Sequence, residues 1–375
     1  MNPPKHILPS NSFAGYLTSR NRLDTVSMVP RQANQTGETS DADALVDSLI
    51  KASPPYRPGT RPIHAPGIAA TGWFSGTPVA SMLTVAPHYA GPPVPVTVRF
   101  SNGTGDIDEP DSTPAVRGMA VKFQPGTEDE TDMVAMSLPM FFVEDVERFR
   151  RFVVAATPVT AKPRSRWQNL RERVRLDTPY PRASSGAAPS NDQGVFDFAV
   201  SYPPACPAVA YLGAKFVPES YTTCSFHAVH AFTLTGPDGT ERSVRFHWEP
   251  VEGVRSASPA ATGNFLRGGL QDWITNGRAE FVLRAQVAEQ GDNTADPTRP
   301  WSSRRPRLVL GHLRLTDIPT DQFHGGELLS FNPTRLARGI GLSDDPTLAV
   351  RGEVYQRSFA RRCPVAEAAK LATAH

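Results

Sequence analysis

Residues 226–248 read FHAVHAFTLTGPDGTERSVRFHW, and this stretch decides the fold class. Its two halves, 226–234 and 243–248, are rich in β-branched and aromatic residues and have the length and pattern of strands. Between them, Gly236-Pro237-Asp238-Gly239 supplies the glycines that a tight turn requires. The stretch therefore predicts a β-hairpin.

Strand candidates continue on both sides of this hairpin, at 96–100, 118–123, 280–287 and 307–315. Strands this numerous and this sequential predict an antiparallel barrel. Residues 41–50, DADALVDSLI, predict a short amphipathic helix with an acidic start. Residues 1–39 are polar and without pattern, so we expect an extended N-terminal arm followed by a single α+β domain over 40–375.

Composition excludes several functional classes. The 375 residues are 39% hydrophobic and 20% charged with a net charge of +2, which is ordinary for a globular protein and argues against a nucleic-acid or membrane partner. The chain lacks an apolar run of membrane-spanning length and a signal-peptide core, and its three cysteines favour a reducing compartment, so we expect a cytoplasmic protein. The arginine-rich stretch 162–191 suggests a solvated face, or alternatively the contact of a homodimer.

Arg351 and Tyr355 are the first candidate site residues. At i and i+4 they share a face on a strand and also meet on one helical turn. A phenol has a pKa of about 10, but a neighbouring guanidinium favours phenolate, which can hold a ferric haem iron. By itself the pair is far more typical of an arginine and a tyrosine near the end of an ordinary soluble domain.

Three segments of the sequence carry motifs. The first reads RPIHAPG at 61–67, followed by GWF at 72–74. The second comprises VRFS at 98–101, RGMAVKF at 117–123 and PMFF at 139–142. The third comprises FNPT at 331–334, GIG at 339–341, and then Arg351 and Tyr355. In this order the three segments resemble the haem catalase family, and the first resembles the strand that carries its distal histidine.

The chain ends soon after Tyr355, where full-length catalases continue into a C-terminal helical segment. The resemblance is therefore to the shortened branch, the catalase-related peroxidases or minicatalases. It implies the catalase-type barrel core with surrounding helices and without that helical domain.

The resemblance also implies roles at the reacting centre. His64 corresponds to the distal acid and base, and Ser101 to the serine that fixes its tautomer, although a serine satisfying backbone at a strand end remains the alternative. Tyr355 corresponds to the ligand of the iron of haem b. Arg351, His230 and Asp345 correspond to a relay behind that ligand.

Further residues correspond to the walls of the cofactor site. Arg61, Arg99 and Arg362 match arginines that pair with haem propionates, and Phe149 matches an aromatic that stacks on the haem. Phe331, from the third segment, belongs with them. Phe141 and Phe142 match distal-pocket residues. For Phe141, Phe142 and Phe149 core packing is nearly as good an interpretation, and both can hold at once.

His227 and His230 also form an H-x-x-H spacing, typical of a small metal site. We do not favour this reading, because residues i and i+3 of a strand point to opposite faces.

Met136 is the main departure from the family pattern. It occupies the position of an asparagine that hydrogen-bonds bound peroxide, and a thioether donates nothing. The resemblance thus implies a haem peroxidase that reduces hydrogen peroxide or organic hydroperoxides through a ferryl intermediate, using an unidentified small reductant, with weak or no catalase activity. The alternatives are a haem-dependent hydroperoxide isomerase or oxygenase, a haem-binding protein without turnover, and a haemless barrel that binds some other ligand.

Overall fold

The structure is a computed structural model. It describes residues 41–53, 56–113, 115–126, 129–156, 194–213, 217–258 and 260–373. The arm expected at 1–39 and the arginine-rich stretch 162–191 lie outside the described residues.

Antiparallel strands close into an eight-stranded barrel in the described part of the chain. Each strand pairs with its neighbour in sequence, β1 pairs with β8, and β4 joins β5 at the Met136–His227 bridge. A ninth strand, Ile340–Leu342, is added to β5. The barrel strands are β1 Gly67–Gly76, β2 Val94–Asn102, β3 Arg117–Phe123, β4 Thr131–Met136, β5 Phe226–Thr235, β6 Glu241–Pro250, β7 Glu280–Val287 and β8 Arg307–Asp317. The predicted hairpin and the antiparallel barrel are both confirmed.

Aromatic side chains from several strands fill the main core. The ring of Phe74 meets that of Phe123 edge-on at 5.0 Å, and Phe123 stacks on Trp248 at 6.3 Å. All three are fully buried. Each such side chain contributes about 1.5–3 kcal/mol relative to exposure, so the alternation seen in the sequence is what closes the barrel.

The helices lie outside this sheet. In the described ranges they are α1 Asp41–Lys51, α2 Pro78–Leu83, α3 Val146–Ala156, α4 Gly194–Ser201, α5 Cys206–Gly213, α6 Phe265–Thr275 and α7 Pro346–Thr373, and Phe323–Glu327 forms a π-helical turn. The predicted first helix is thus confirmed as α1. None of the described helices is long and apolar enough to cross a bilayer.

Helix α7 is fixed at its start and along its length. The Asp345 carboxylate accepts hydrogen bonds from the backbone N–H groups of Thr347, at 2.8 Å, and Leu348, at 3.2 Å. These bonds satisfy two of the donors that the first helical turn leaves free. Further along, Arg361 pairs with Asp47 at 2.6 Å and with Asp43 at 2.5 Å, so α7 is fastened to α1.

Candidate active site

A cavity of about 160 Å³ lies between the barrel wall and α7. Nine of the fourteen site residues predicted from the sequence line it, namely Arg61, His64, Arg99, Ser101, Met136, Phe331, Arg351, Tyr355 and Arg362. The motifs therefore converge on one place, although they are spread over nearly 300 residues of sequence.

His64 lies in the bend that precedes β1, with a φ of 58°. The expectation that a strand carries this histidine is wrong, because strand backbone requires negative φ and β1 begins only at Gly67. Arg99 holds the bend in place: its guanidinium donates to the backbone oxygens of His64 and Ala65, both at 3.0 Å. The unusual φ is thus stabilised by a buried cation.

The imidazole of His64 is oriented by one contact. Its Nδ1 lies 3.0 Å from Oγ of Ser101, as the family resemblance implied. A Cβ at Gly118 would lie 2.6 Å from that oxygen and 2.9 Å from Nδ1, so a glycine is needed beside the pair. Burial lowers the pKa of His64 to about 3, and the nearby guanidinium of Arg99 adds to the effect. The ring is therefore neutral near pH 7, with Nε2 left to exchange a proton.

Tyr355 stands at the head of a hydrogen-bonded chain. Arg351 and Tyr355 lie on α7, so the helical alternative is the one that brings them together, with Nη2 of Arg351 donating to the phenol oxygen at 2.8 Å. Nη1 of Arg351 donates to Nε2 of His230 at 2.8 Å, and Nδ1 of His230 lies 2.6 Å from Asp345. The predicted relay residues are thus in contact.

The proton positions in this chain follow from the chemistry of the donors. A guanidinium only donates, so Nε2 of His230 must accept and Nδ1 must carry the hydrogen that goes to Asp345. Burial lowers the pKa of His230 to about 4, against the opposing effect of the Asp345 hydrogen bond. Neither His230 nor Asp345 is among the cavity-lining residues. Their hydrogen-bonded connection to the cavity runs through Arg351, and Asp345 also accepts from the first turn of the helix that carries Tyr355.

Three guanidiniums gather at another part of the cavity around a residue that the sequence did not reveal. Glu327 accepts from Nε and Nη2 of Arg99, at 3.0 and 2.7 Å, and its second oxygen pairs with Arg61. Arg362 donates to the backbone oxygen of the same residue. Although burial acts to raise it, these cations hold the pKa of Glu327 below its ordinary value.

The cluster of Arg61, Arg99, Arg362 and Glu327 keeps a surplus of two positive charges. Burial, followed by the repulsion of Arg99, lowers the pKa of Arg61 well below its ordinary range, as expected for an under-compensated cation. A ligand with two carboxylates would neutralise this cluster, and guanidiniums bind carboxylates bidentately. With the phenol of Tyr355 in the same cavity, the residues present fit a haem.

The remaining wall of the cavity is mostly apolar. Met136 faces it and lies opposite Gly118 of β3 and His227 of β5 in the sheet register. Val134 and Val229 add further aliphatic surface. Met136 thus offers the cavity only a weak hydrogen-bond acceptor, and its correspondence to the family asparagine stays a prediction.

Phe141, Phe142 and Phe149 do not line the cavity. Phe141 packs against Phe149 with ring centroids 5.5 Å apart, and Phe142 stacks on Phe152 at 4.4 Å. Core packing, one of the two interpretations that the sequence left open, is what the structure shows for them. Their contact with a cofactor stays a prediction.

His227 and His230 do not act together. His230 belongs to the chain behind Tyr355, whereas Nδ1 of His227 lies 2.8 Å from Nδ1 of His247 on β6. The pairing of β5 with β6 is irregular between Ala228 and Phe232, the stretch that contains His230. Simple alternation along a strand therefore does not describe how the side chains of His227 and His230 are arranged.

Comparison with known proteins gives one consistent family. The family described as Catalase matches residues 31–371. A catalase-related peroxidase of Mycolicibacterium paratuberculosis is 34% identical over 327 residues, covering 86% of this chain and 95% of that protein. A catalase-related peroxidase of Synechococcus elongatus is 27% identical, over 87% of this chain and 89% of that protein.

Full-length catalases match over a smaller part of their own length. Catalase-2 of Bacillus subtilis is 28% identical over 78% of this chain, but the match spans only 42% of that protein. Barrel, site residues and extent of the matches thus agree, and the chain belongs to the catalase family, on its shortened branch.

Proposed function

We propose that this protein is a haem-dependent peroxidase, carrying haem b, that reduces hydrogen peroxide or an organic hydroperoxide at the expense of a small reductant. The observation that carries the proposal is the cavity shared by His64, neutral and oriented, and Tyr355, held by Arg351. The names of the relatives that match over most of their length support the same activity.

Four residues would hold the cofactor. The phenol oxygen of Tyr355 would bind the iron, and the guanidiniums of Arg61, Arg99 and Arg362 would bind the two propionates. When bound, the haem iron supplies a Lewis-acid site for a peroxide oxygen and accepts the oxidising equivalents.

His64 would move the proton on which O–O cleavage depends. Its neutral Nε2 accepts the proton of the near peroxide oxygen and returns it to the far oxygen, which then leaves as water or alcohol. Ser101 keeps the ring turned for both transfers, because its hydroxyl occupies Nδ1. Acid–base catalysis of this kind contributes about 10²–10⁴-fold to the rate.

Met136 would set the balance between reduction and dismutation. Dismutation requires two small peroxides to be positioned in turn, and Met136 offers no hydrogen-bond donor for either. Loss of one donor costs roughly 3–4 kcal/mol of transition-state stabilisation in well-studied oxyanion sites. We therefore propose weak or no catalase activity. No contact among the described residues favours the isomerase, oxygenase or non-catalytic alternatives.

Two substitutions test the proposal. Tyr355→Phe should remove the iron ligand, so the protein should purify with little or no haem. His64→Ala should keep haem but slow peroxide cleavage at least 10²-fold in stopped-flow absorbance traces. His312→Ala, at an exposed histidine of β8 outside the cavity, is the matched control and should change neither property. Full haem occupancy in the first variant, or an unchanged cleavage rate in the second, would overturn the assignments.

A further inference from the structure

The π-helical turn and the residues just after it bind two of the three guanidiniums of the cluster through backbone oxygens. Nη2 of Arg61 donates to the backbone oxygens of Gly326, at 3.2 Å, and Leu329, at 2.9 Å. Nη2 of Arg362 donates to the same Leu329 oxygen at 3.0 Å, and its Nη1 donates to the backbone oxygen of Glu327. The spacing between these two cations is therefore set by the place where the turn lies.

The side chain of Gln322 fastens this turn to the barrel. Its Oε1 accepts from the backbone N–H of Ala69 on β1 at 2.7 Å, and its Nε2 donates to the backbone oxygen of Ala69 at 2.9 Å. Nε2 also donates to the backbone oxygen of Pro319 at 2.8 Å. The amide thus uses its acceptor oxygen and both of its donor hydrogens.

The place on β1 where Gln322 binds explains why an amide suits it. The pairing of β1 with β8 ends at Thr71 and Asp317. At Ala69 the amide therefore supplies the acceptor and the donor that a neighbouring strand would supply. Ala69 is buried, so its backbone groups cannot turn to water instead. Since Ala69 is also paired with Arg99 of β2, the turn is fastened beside the strand position of the third guanidinium.

Close packing supports the same attachment of the turn. A Cβ at Gly326 would lie 2.8 Å from the Cβ of Ala69, which is closer than two carbon atoms pack. The turn therefore lies directly against β1. Gly326 also carries a backbone oxygen that Arg61 binds, so moving the turn away from β1 would move this acceptor.

We propose that Gln322 is a positioning residue of the cofactor site: it holds the π-helical turn on β1, and the turn holds the guanidiniums of Arg61 and Arg362 at the spacing that binds both propionates of haem. This inference rests on the proposed function and deepens it. Gln322 is not among the cavity-lining residues, so its effect on haem passes through the turn.

Release of two forms of the cofactor tests this role without turnover. Haem dimethyl ester keeps the iron and the ring of haem but has no carboxylate charge. Each cofactor is loaded into the protein, and its transfer to an excess of apomyoglobin gives the dissociation rate. The parent protein should release haem more slowly than the ester, because the ester makes no charge-assisted hydrogen bonds with the guanidiniums.

Gln322→Met keeps the length of the side chain but removes the amide. It should raise the dissociation rate of haem about 10-fold, as expected when charge-assisted hydrogen bonds are weakened, and leave that of the ester within about twofold. Gln286→Met is the matched control. Nε2 of Gln286 donates to the backbone oxygen of Ser302 at 2.8 Å, but this glutamine is not among the cavity-lining residues. The control should change the preference for haem over the ester by less than about twofold.

Gly326→Ala moves the turn and leaves the amide intact, so it keeps the test decisive if Gln322→Met does not fold. The added methyl group would lie 2.8 Å from the Cβ of Ala69, and the turn must shift away from β1. Haem should again be released about 10-fold faster, while release of the ester changes little. Gly268→Ala in α6 is its control, because in the described part of the chain a methyl there meets no atom within 4 Å beyond its own stretch of helix.

The outcomes separate the two proposals. Variants that release haem and the ester equally faster, or that release neither faster, would overturn the role of Gln322 and leave the peroxidase function standing. Equal release of haem and the ester by the parent protein would overturn that role too, since the guanidiniums would then not bind propionates. A parent protein that takes up neither cofactor would overturn the proposed function and this inference with it.

Discussion

Replacing Glu327 by glutamine tests whether its carboxylate is the built-in counter-ion of the cofactor site. The substitution keeps the size of the side chain and leaves the neighbouring guanidiniums of Arg61 and Arg99 without their anion. Without haem, the net charge of the cluster formed with Arg362 rises from +2 to +3. With haem bound, two propionates lower these values to 0 and +1. The substitution should therefore lower the stability of the haem-free protein more than that of the holoprotein.

The expected loss of stability follows from how deeply the ion pair of Arg99 and Glu327 is buried. Breaking a buried pair costs about 3–5 kcal/mol and an exposed pair contributes about 0–1 kcal/mol. The side chain of Arg99 is 4% exposed and that of Glu327 is 36% exposed, so the pair lies between these limits. We expect a loss of roughly 2–3 kcal/mol without haem and about 1 kcal/mol with haem.

Thermal unfolding followed by circular dichroism measures this difference. Unfolding entropy is about 2.1 cal/mol/K per residue, so a domain of roughly 340 residues loses about 1.4 °C in Tm per kcal/mol. Glu327→Gln should lower Tm by roughly 3–4 °C in the haem-free protein and by about 1–2 °C in the holoprotein.

Glu249 provides the matched control. It is 35% exposed, pairs with Arg284 at 2.6 Å, and does not line the cavity. Glu249→Gln should lower Tm by about 1 °C whether or not haem is present. The carboxylate of Glu327 is not the counter-ion of the cluster if Glu327→Gln lowers Tm no more than Glu249→Gln does. The same conclusion holds if haem does not reduce the loss of Tm in Glu327→Gln.

Two further predictions concern the pocket and the pH dependence of stability. Met136→Asn introduces a hydrogen-bond donor beside the peroxide site, so oxygen evolution from hydrogen peroxide should rise at matched haem content. Oxidation of an organic donor should not rise in proportion. Measurement with an oxygen electrode checks this, and unchanged dismutation would contradict it. Burial lowers the pKa of His88 to about 3, so below pH 6.5 the unfolded chain binds a proton that the folded chain does not, and stability falls as pH drops from about 6.5 towards 3. His88→Phe should remove up to about 1.4 kcal/mol of this loss per pH unit, and equal slopes of Tm against pH in the two proteins would contradict it.

Local pattern was sufficient for the barrel and for part of the site. The hairpin at 226–248 could be predicted because its turn glycines and strand periodicity lie within one short window. Arg351 and Tyr355 could be paired without knowing their secondary structure, since a spacing of four puts two side chains on one face of a strand and brings them into contact on a helix.

Other features arise from contacts between residues that are far apart in the sequence, so no short stretch of sequence predicts them. Glu327 reaches Arg61 and Arg99 only because a π-helical turn places it there, and such turns have no sequence signal of their own. The contact between His227 and His247 depends on the register of β5 against β6, which a bulge alters. The positive φ of His64, in the bend before β1, depends on hydrogen bonds from Arg99, which lies on β2.

The order of elements along the chain sets when the cofactor can be enclosed. All eight barrel strands precede Tyr355, whereas Arg361 on the same helix must find Asp43 and Asp47 at the opposite end of the domain. Contacts so distant in sequence form late, because the intervening chain must first be ordered. The strand that carries Arg99 thus precedes the helix that carries Tyr355, the proposed iron ligand. Under the proposed function we therefore expect haem to be captured late in folding, when this helix packs against a barrel that already presents the guanidinium of Arg99.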